Sequence, residues 1–241
     1  MTQEPYISVI LPAGGSGQRY HPSQPKLLAP IHGKPVIYHT VAAFYNHPAI
    51  SEIIIPCTND LKNQLDAVLH AFCSKYHCVP SGRSRALSVA SGYHNRNPRS
   101  HYVLIHDAAR PNVSANLITR VIAALHTHKA VIPGIPVTDT LKNVANGWIT
   151  HTVDRSTLVA VQTPQGFHAD CLATAYSTVL HLDNYTDEAS LVEACGTAGK
   201  IIAGEPTNIK LTVDSDRHFL EYVWGHSNVH PDSSQSHDGT W

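Results

Sequence analysis

Short apolar runs alternate along this chain with longer stretches in which apolar positions recur at helical spacing. The runs suit strands buried on both faces, and the spaced stretches suit amphipathic helices. Strands are predicted over 6–11, 53–55, 77–79, 101–105 and 129–137. Helices are predicted over 35–46, 59–72, 84–95 and 114–126. In the first helix Val36, Ile37, Val41 and Phe44 keep the helical period, and Pro35 suits a first turn because its φ is already fixed. In the second, Leu61, Leu65, Val68 and Leu69 share a face. Strands separated by helices, with no internal repeat, imply an α/β fold built on a doubly wound, mostly parallel sheet.

The alternation breaks at 138–153, where two polar-rich, alternating segments flank Asn146-Gly147. Asn-Gly between such segments is the strongest short-range hairpin signal. An arm over about 138–155 is therefore expected to project from the domain. A lone hairpin is marginal in water, so the arm needs a surface to pack on, such as a second subunit. Residues 208–212 read as one more short strand with Lys210 inside it. Thr186-Asp187-Glu188 opens a helix, with its acids where the helix dipole favours them. The segment 226–241, rich in Ser, His and Asp, is expected to be a disordered tail behind a single domain over 1–225.

Composition narrows the class. The 241 residues suit one domain with a sizeable core, and 42% hydrophobic content is ordinary for a globular protein. Lys+Arg number 17 and Asp+Glu 18, so no basic field is present to hold nucleic acid or a membrane surface. No apolar stretch can span a bilayer, and the start lacks the regions of a signal peptide, which makes cytoplasmic the default. Cys57, Cys73, Cys78, Cys171 and Cys195 are odd in number and contain no C-x-x-C, so reduced thiols are expected. The 18 histidines show no metal-binding pattern, and none is assigned to a metal.

The chemistry concentrates in Leu11-Pro12-Ala13-Gly14-Gly15-Ser16-Gly17-Gln18-Arg19, with Pro25-Lys26 close behind. Bare glycine backbone can approach a phosphate and aim several N–H groups at it. Arg19 can fork onto phosphate oxygens and Lys26 acts as a point charge. The same residues also suit a tight loop with solvated charges. A Walker loop would need Gly-Lys-Ser/Thr, whereas Gly17 precedes Gln18-Arg19. A dinucleotide site needs an acid at the end of the second strand, which here ends in Cys57-Thr58, so a dehydrogenase is disfavoured. Gly82-Arg83-Ser84-Arg85 opens a helix, whose N-terminus attracts anions, and Arg85 and Ser88 share a face of its first turns. Asp107 in His106-Asp107-Ala108-Ala109-Arg110-Pro111 follows a strand end, where ligands of parallel sheets bind, and a carboxylate there can hold Mg²⁺ or another divalent cation.

The loop with Pro25-Lys26 resembles the signature of sugar-phosphate nucleotidyltransferases. Four later segments narrow the resemblance to the 2-C-methyl-D-erythritol 4-phosphate cytidylyltransferase family: Gly82-x-x-Arg85-x-x-Ser88-Val89, His-Asp-Ala-Ala-Arg-Pro from His106, Gln-Thr-Pro-Gln from Gln162, and Asn208-Ile209-Lys210. The resemblance spans about 7–216. Departures are Ser81 where a second glycine is usual, Arg83 where an acid can occur, and Leu27-Leu28 after the lysine. It implies a Rossmann-like nucleotidyltransferase fold and CMP transfer from CTP to a polyol phosphate, with release of pyrophosphate. It implies that Arg19, Lys26 and Lys210 are catalytic. Pro12, Ala13, Gly14, Gly15, Gly17, Gly82, Arg85, Ser88, Asp107 and Ala108 would bind the nucleotide, and Asp107 the metal. Arg110, Asp139, Thr140, Arg155 and Thr163 would bind the acceptor, across a homodimer joined by the arm. Ala13-Gly14-Gly15 also resembles the loop of ribitol-5-phosphate cytidylyltransferases, which keeps that acceptor open. A non-catalytic nucleotide-binding module is the reading of another class, and the retained Arg19, Lys26 and Lys210 speak against it.

Overall fold

The computed structural model describes residues 4–15 and 25–226. Ser16, Gly17, Gln18, Arg19 and the tail from 227 onward lie outside the described residues, so the expectations for Gly17, Arg19 and 227–241 fall there. His226, placed in the tail by sequence, instead closes the last helix.

In chain order the strands are β1 (Tyr6–Ile10), β2 (Pro30–Ile31), β3 (Lys34–Pro35), β4 (Glu52–Cys57), β5 (Tyr76–Pro80), β6 (Ser100–Ile105), β7 (Ala130–Pro136), β8 (Lys142–Ala145), β9 (Trp148–Thr152), β10 (Val159–Val161), β11 (Gln165–His168) and β12 (Lys200–Ala203). The helices are α1 (Val36–Tyr45), α2 (Asn59–Leu69), α3 (Arg85–His94), α4 (Ala115–Leu125), α5 (Ala169–Thr178), α6 (Glu188–Ala194) and α7 (Asp214–His226). The main sheet runs β10-β7-β11-β6-β1-β4-β5, with β12 also paired to β7. β6, β1, β4 and β5 pair in parallel, as does β12 with β7. β11 is antiparallel to both β6 and β7, and β10 is antiparallel to β7.

Side chains alternate across a strand, and the sheet uses both faces. Ile7, Val9, Ile53, Ile55 and Leu104 pack with α1, α2 and α4, and Leu220 of α7 joins that core. Ile10, Ile54, Val103 and Ile105 face the other way, onto Val89, Leu172 and Val192 of α3, α5 and α6. This two-sided burial explains why the strands read as continuous apolar runs. Three helices are capped by hydroxyls that accept an orphan N–H: Thr58 before α2, Ser84 before α3 and Ser114 before α4.

The arm is present. Asn146 (φ 51°) and Gly147 (φ 83°) both take positive φ, as the tight turn between β8 and β9 requires. It departs between the antiparallel β7 and β10, and its apolar residues meet solvent: Val144 is 55%, Ile149 65% and Trp148 79% exposed. The predicted strand at 208–212 is not formed. That segment is a loop, held by Leu211 N donating to Ala109 O at 2.8 Å and by the buried Asn208.

Candidate active site

The carboxyl ends of β1, β4, β5 and β6 open onto a cleft of about 430 Å³. Ligands of open α/β sheets bind at such ends. A larger hollow of about 1180 Å³ lies at the opposite ends of β1 and β6, around Tyr6 and Ser100, away from the residues with relevant chemistry. Nine of the predicted nucleotide residues line the cleft together: Pro12, Ala13, Gly14, Gly15, Gly82, Arg85, Ser88, Asp107 and Ala108. Lys26 and Lys210 line it too, although 184 positions separate them in the chain.

Packing holds the glycine loops. The loop after β1 is tied to β4 by Ala13 N donating to Pro56 O at 2.8 Å. Ser81 N donates to Cys57 O at 3.0 Å and sets the loop after β5 alongside. A Cβ on Gly14 would stand 2.6 Å from Ser81 Cβ, and one on Gly82 2.4 Å from Leu87 Cβ. The two loops can therefore meet only with glycine at 14, and the loop after β5 can lie on the first turn of α3 only with glycine at 82. The buried Ser88 hydroxyl accepts from Gly82 N at 3.1 Å and donates to Ser84 O at 2.8 Å. Arg83, one of the departures from the family pattern, turns to Asp183 at 3.2 Å, and Ser84 also donates to that carboxylate.

The charges converge on Asp107, at the end of β6. Lys210 Nζ lies 2.8 Å from its Oδ2, Arg85 Nε 3.5 Å from Oδ1 and Arg110 Nε 3.6 Å from Oδ2. Burial alone would raise the Asp107 carboxyl. Lys210, then Arg85 and Arg110, outweigh it and hold the group well below the usual carboxylate range. Arg85 in turn meets Glu188, with Nη1 at 3.0 and 3.3 Å from its two oxygens. Burial lifts Glu188, and Arg85 pulls against that rise.

Behind Asp107 is a polar scaffold. His106 is fully buried, and burial lowers it to about 4, so it is neutral near pH 7. Its Nε2 lies 3.0 Å from Arg110 O, which only accepts, so Nε2 carries the proton. Nδ1 then accepts from the Thr163 hydroxyl at 3.0 Å, and that hydroxyl accepts from Asp107 N at 3.1 Å. Asn208 donates to Thr163 O at 2.8 Å and accepts Arg110 Nη1 at 2.7 Å.

Two residues expected at the acceptor are engaged in this scaffold. Thr163 is buried and its hydroxyl is committed to His106 and Asp107. Arg110 is turned inward, its side chain only 13% exposed. Both side chains face Asp107. Asp139, Thr140 and Arg155 are exposed at the arm and do not line the cleft; Arg155 donates to Thr138 O instead. Gln162 and Gln165 are structural: Gln162 pairs with the backbone of Glu205, and Gln165 reaches Asp187 and Ala189 N. Glu188, His106 and Asn208 are the site residues that the sequence reading leaves unassigned. His106 and Asn208 each sit inside a quoted motif, whereas Glu188 shows only as an acid in a first helical turn. Among the described residues no group of three or more His, Cys, Asp or Glu could hold a metal ion. Any cation here would therefore take one carboxylate from Asp107 and the rest of its shell from ligand oxygens and water. That division fits Mg²⁺, which keeps waters and shares phosphates.

Known proteins resemble this chain in sequence and in fold. The family model for 2-C-methyl-D-erythritol 4-phosphate cytidylyltransferase, IspD, matches residues 7–224. The protein of that name from Syntrophus aciditrophicus is 37% identical over 218 residues, covering 88% of this chain and 93% of that one. The bifunctional enzyme IspD/IspF of Nitratidesulfovibrio vulgaris is 38% identical over 224 residues, covering 88% of this chain, which spans only 57% of that longer protein. The 4-diphosphocytidyl-2C-methyl-D-erythritol synthase structure from Anaerococcus prevotii superposes with a TM-score of 0.79 at 27% identity, covering 92% of this chain and all of that one. With its cleft, its converging cations and a match across nearly its whole folded length, the chain belongs to the 2-C-methyl-D-erythritol 4-phosphate cytidylyltransferase family of nucleotidyltransferases.

Proposed function

We propose that the chain transfers CMP from CTP to 2-C-methyl-D-erythritol 4-phosphate. The products are 4-diphosphocytidyl-2-C-methyl-D-erythritol and pyrophosphate, in the non-mevalonate route to isoprenoid precursors. The observation that carries the reading is the cleft itself, where two glycine loops, Lys26, Lys210 and an ionised Asp107 face one another within a family match to residues 7–224.

A phosphate monoester is already a nucleophile, so the protein needs no covalent intermediate. An acceptor oxygen attacks the α-phosphorus of CTP in line, that bond forms as the α–β bridge breaks, and the electron pair leaves with pyrophosphate. Catalysis is then positioning plus stabilisation of charge that develops on oxygen. The backbone of Gly14 and Gly15 would cradle the phosphates. Lys26 and Lys210, with Arg19, would meet the charge on the reacting phosphorus and the leaving group. Gly82, Arg85 and Ser88 would frame the cytosine and ribose. Asp107 would hold a divalent cation such as Mg²⁺, which would supply charge to offset that of the phosphates. Lys210 sits on Asp107 at 2.8 Å, which keeps its ammonium at the cleft until phosphates arrive.

The acceptor end needs a second copy of the chain. Asp139, Thr140 and Arg155 stand off this chain's own cleft, and the arm that carries them exposes Trp148 and Ile149. We infer an isologous homodimer in which each arm delivers these residues to the other cleft. No helix among the described residues is long and apolar enough to cross a membrane, and a cytoplasmic setting accords with this chemistry. Pyrophosphate release from CTP tests the reading, with methylerythritol phosphate and ribitol 5-phosphate as separate acceptors. Release with the first and little with the second supports it. The reverse order would move the chain's acceptor to ribitol phosphate, and release with neither would leave a binding module.

A further inference from the structure

Glu188 is a carboxylate that the proposed chemistry does not use, yet it lies one residue away from the reacting charges. It is 2% exposed at the start of α6, and its side chain takes both its short contacts from Arg85 Nη1, at 3.0 and 3.3 Å. The other side of the same guanidinium points to Asp107, where Nε stands at 3.5 Å, beyond good hydrogen-bond geometry. One cation is thus shared unequally between two buried carboxylates, and the nearer one is Glu188.

The asymmetry has a consequence for Asp107. A guanidinium free to choose would close on Asp107 as a two-pronged pair, the strong arrangement for Arg with a carboxylate. Glu188 draws it aside and offsets its charge, leaving Oδ1 of Asp107 to the cleft while Lys210 and Arg110 stand against Oδ2. We propose that Glu188 is a positioning residue of the nucleotide site: it holds Arg85 off Asp107 and so keeps that carboxylate available to the divalent cation accompanying CTP. The proposal rests on the assignment of Asp107 to the cation and adds a residue that acts on it from behind.

Replacing Glu188 by Gln keeps the shape and removes the charge. Arg85 then places its full charge against Asp107, and binding of the cation there weakens. For a unit charge lost several ångströms away in a partly buried site, the effect is on the order of tenfold. CTP binding to the purified protein is measured by calorimetry, once with excess Mg²⁺ and once with EDTA. The ratio of the two dissociation constants is the metal enhancement. Wild type and Glu188→Asp, which keeps the charge, should share that enhancement. Glu188→Gln should lose about tenfold of it, a loss read from the ratio, in which any change in metal-free binding through Arg85 cancels. Asp107→Asn should lose it altogether. If Asp107→Asn keeps the enhancement, the cation assignment itself is wrong. If Asp107→Asn loses it while Glu188→Gln keeps it, the cation assignment stands and the role given to Glu188 is overturned. Equal weakening of both constants in Glu188→Gln, with a lower Tm, would make Glu188 a structural strut and also overturn it. Should Glu188→Gln fail to fold, Glu188→Asp decides alone: a lost enhancement in a folded protein that keeps the charge refutes the proposal.

Discussion

His106 makes an acid-sensitive joint directly behind the active carboxylate, and its cost can be worked out. Burial lowers it from an ordinary 6.5 to about 4, and both ring nitrogens are already in use inside the protein. Protonation would put a second hydrogen on Nδ1, which accepts from Thr163, and would break the chain to Asp107 N. Between pH 6.5 and 4 the unfolded chain carries the proton and the folded one does not. The unfolded state binds more protons there, so stability rises with pH across this window and is lost on acidification. From pH 7.5 to 4.5 the share due to this group is about 2.5 kcal/mol, given roughly 1.4 kcal/mol per pKa unit. Other groups titrate in the same range, so the comparison is with His106→Gln, which cannot. Urea unfolding of both proteins at pH 7.5 and 4.5 gives four free energies. Whatever His106→Gln costs at pH 7.5, its disadvantage should shrink by about 2.5 kcal/mol at pH 4.5. Parallel loss of stability in the two proteins would refute the buried neutral imidazole.

Lys26→Ala should lower kcat on the order of 10²–10³-fold with a smaller change in CTP affinity, since its charge matters most as charge develops on phosphorus; steady-state kinetics with a CTP titration reads both. Gly82→Ala should raise the KM for CTP, because the added Cβ would stand 2.4 Å from Leu87 Cβ and push the loop after β5 off the first turn of α3, which carries Arg85 and Ser88; an unchanged KM would show that the loop yields freely. Lys26→Ala and Arg155→Ala, each inactive alone, should regain activity when refolded together, since in a mixed dimer one cleft carries both lesions and the other neither. No recovery, with mixed dimers confirmed by mass, would place both residues in one chain's site.

Much of this fold was legible because the signals were local. The buried strand Glu52–Cys57 centres on the apolar run Ile53-Ile54-Ile55, and Ser84 and Ser114 cap helices whose apolar positions recur at helical spacing. The cleft was legible for a different reason: glycine loops and the Asp107 segment both end strands, and parallel topology brings strand ends together. What escaped the sequence depends on distant partners. Gln165–His168 is a strand only because β6 and β7 flank it, and its four mixed residues show no alternation. Asn208-Ile209-Lys210 resembles a strand locally, but the Asn208 amide donates to Thr163 O and its backbone carbonyl accepts from Arg110, which holds the segment as a loop aimed at Asp107. In the sequence Glu188 shows only as a helix-dipole acid, because its partner, Arg85, lies 103 residues earlier.

In the proposed reaction an acceptor phosphate attacks the α-phosphorus of CTP in this cleft. Methylerythritol 4-phosphate labelled with ¹⁸O in its phosphate tests it most directly, with products resolved by mass spectrometry after reaction with CTP and Mg²⁺. The account predicts that the whole label stays in the cytidine diphosphate product, bridge included, and that pyrophosphate carries none. Label in pyrophosphate, or no labelled nucleotide at all while CTP is consumed, would contradict it.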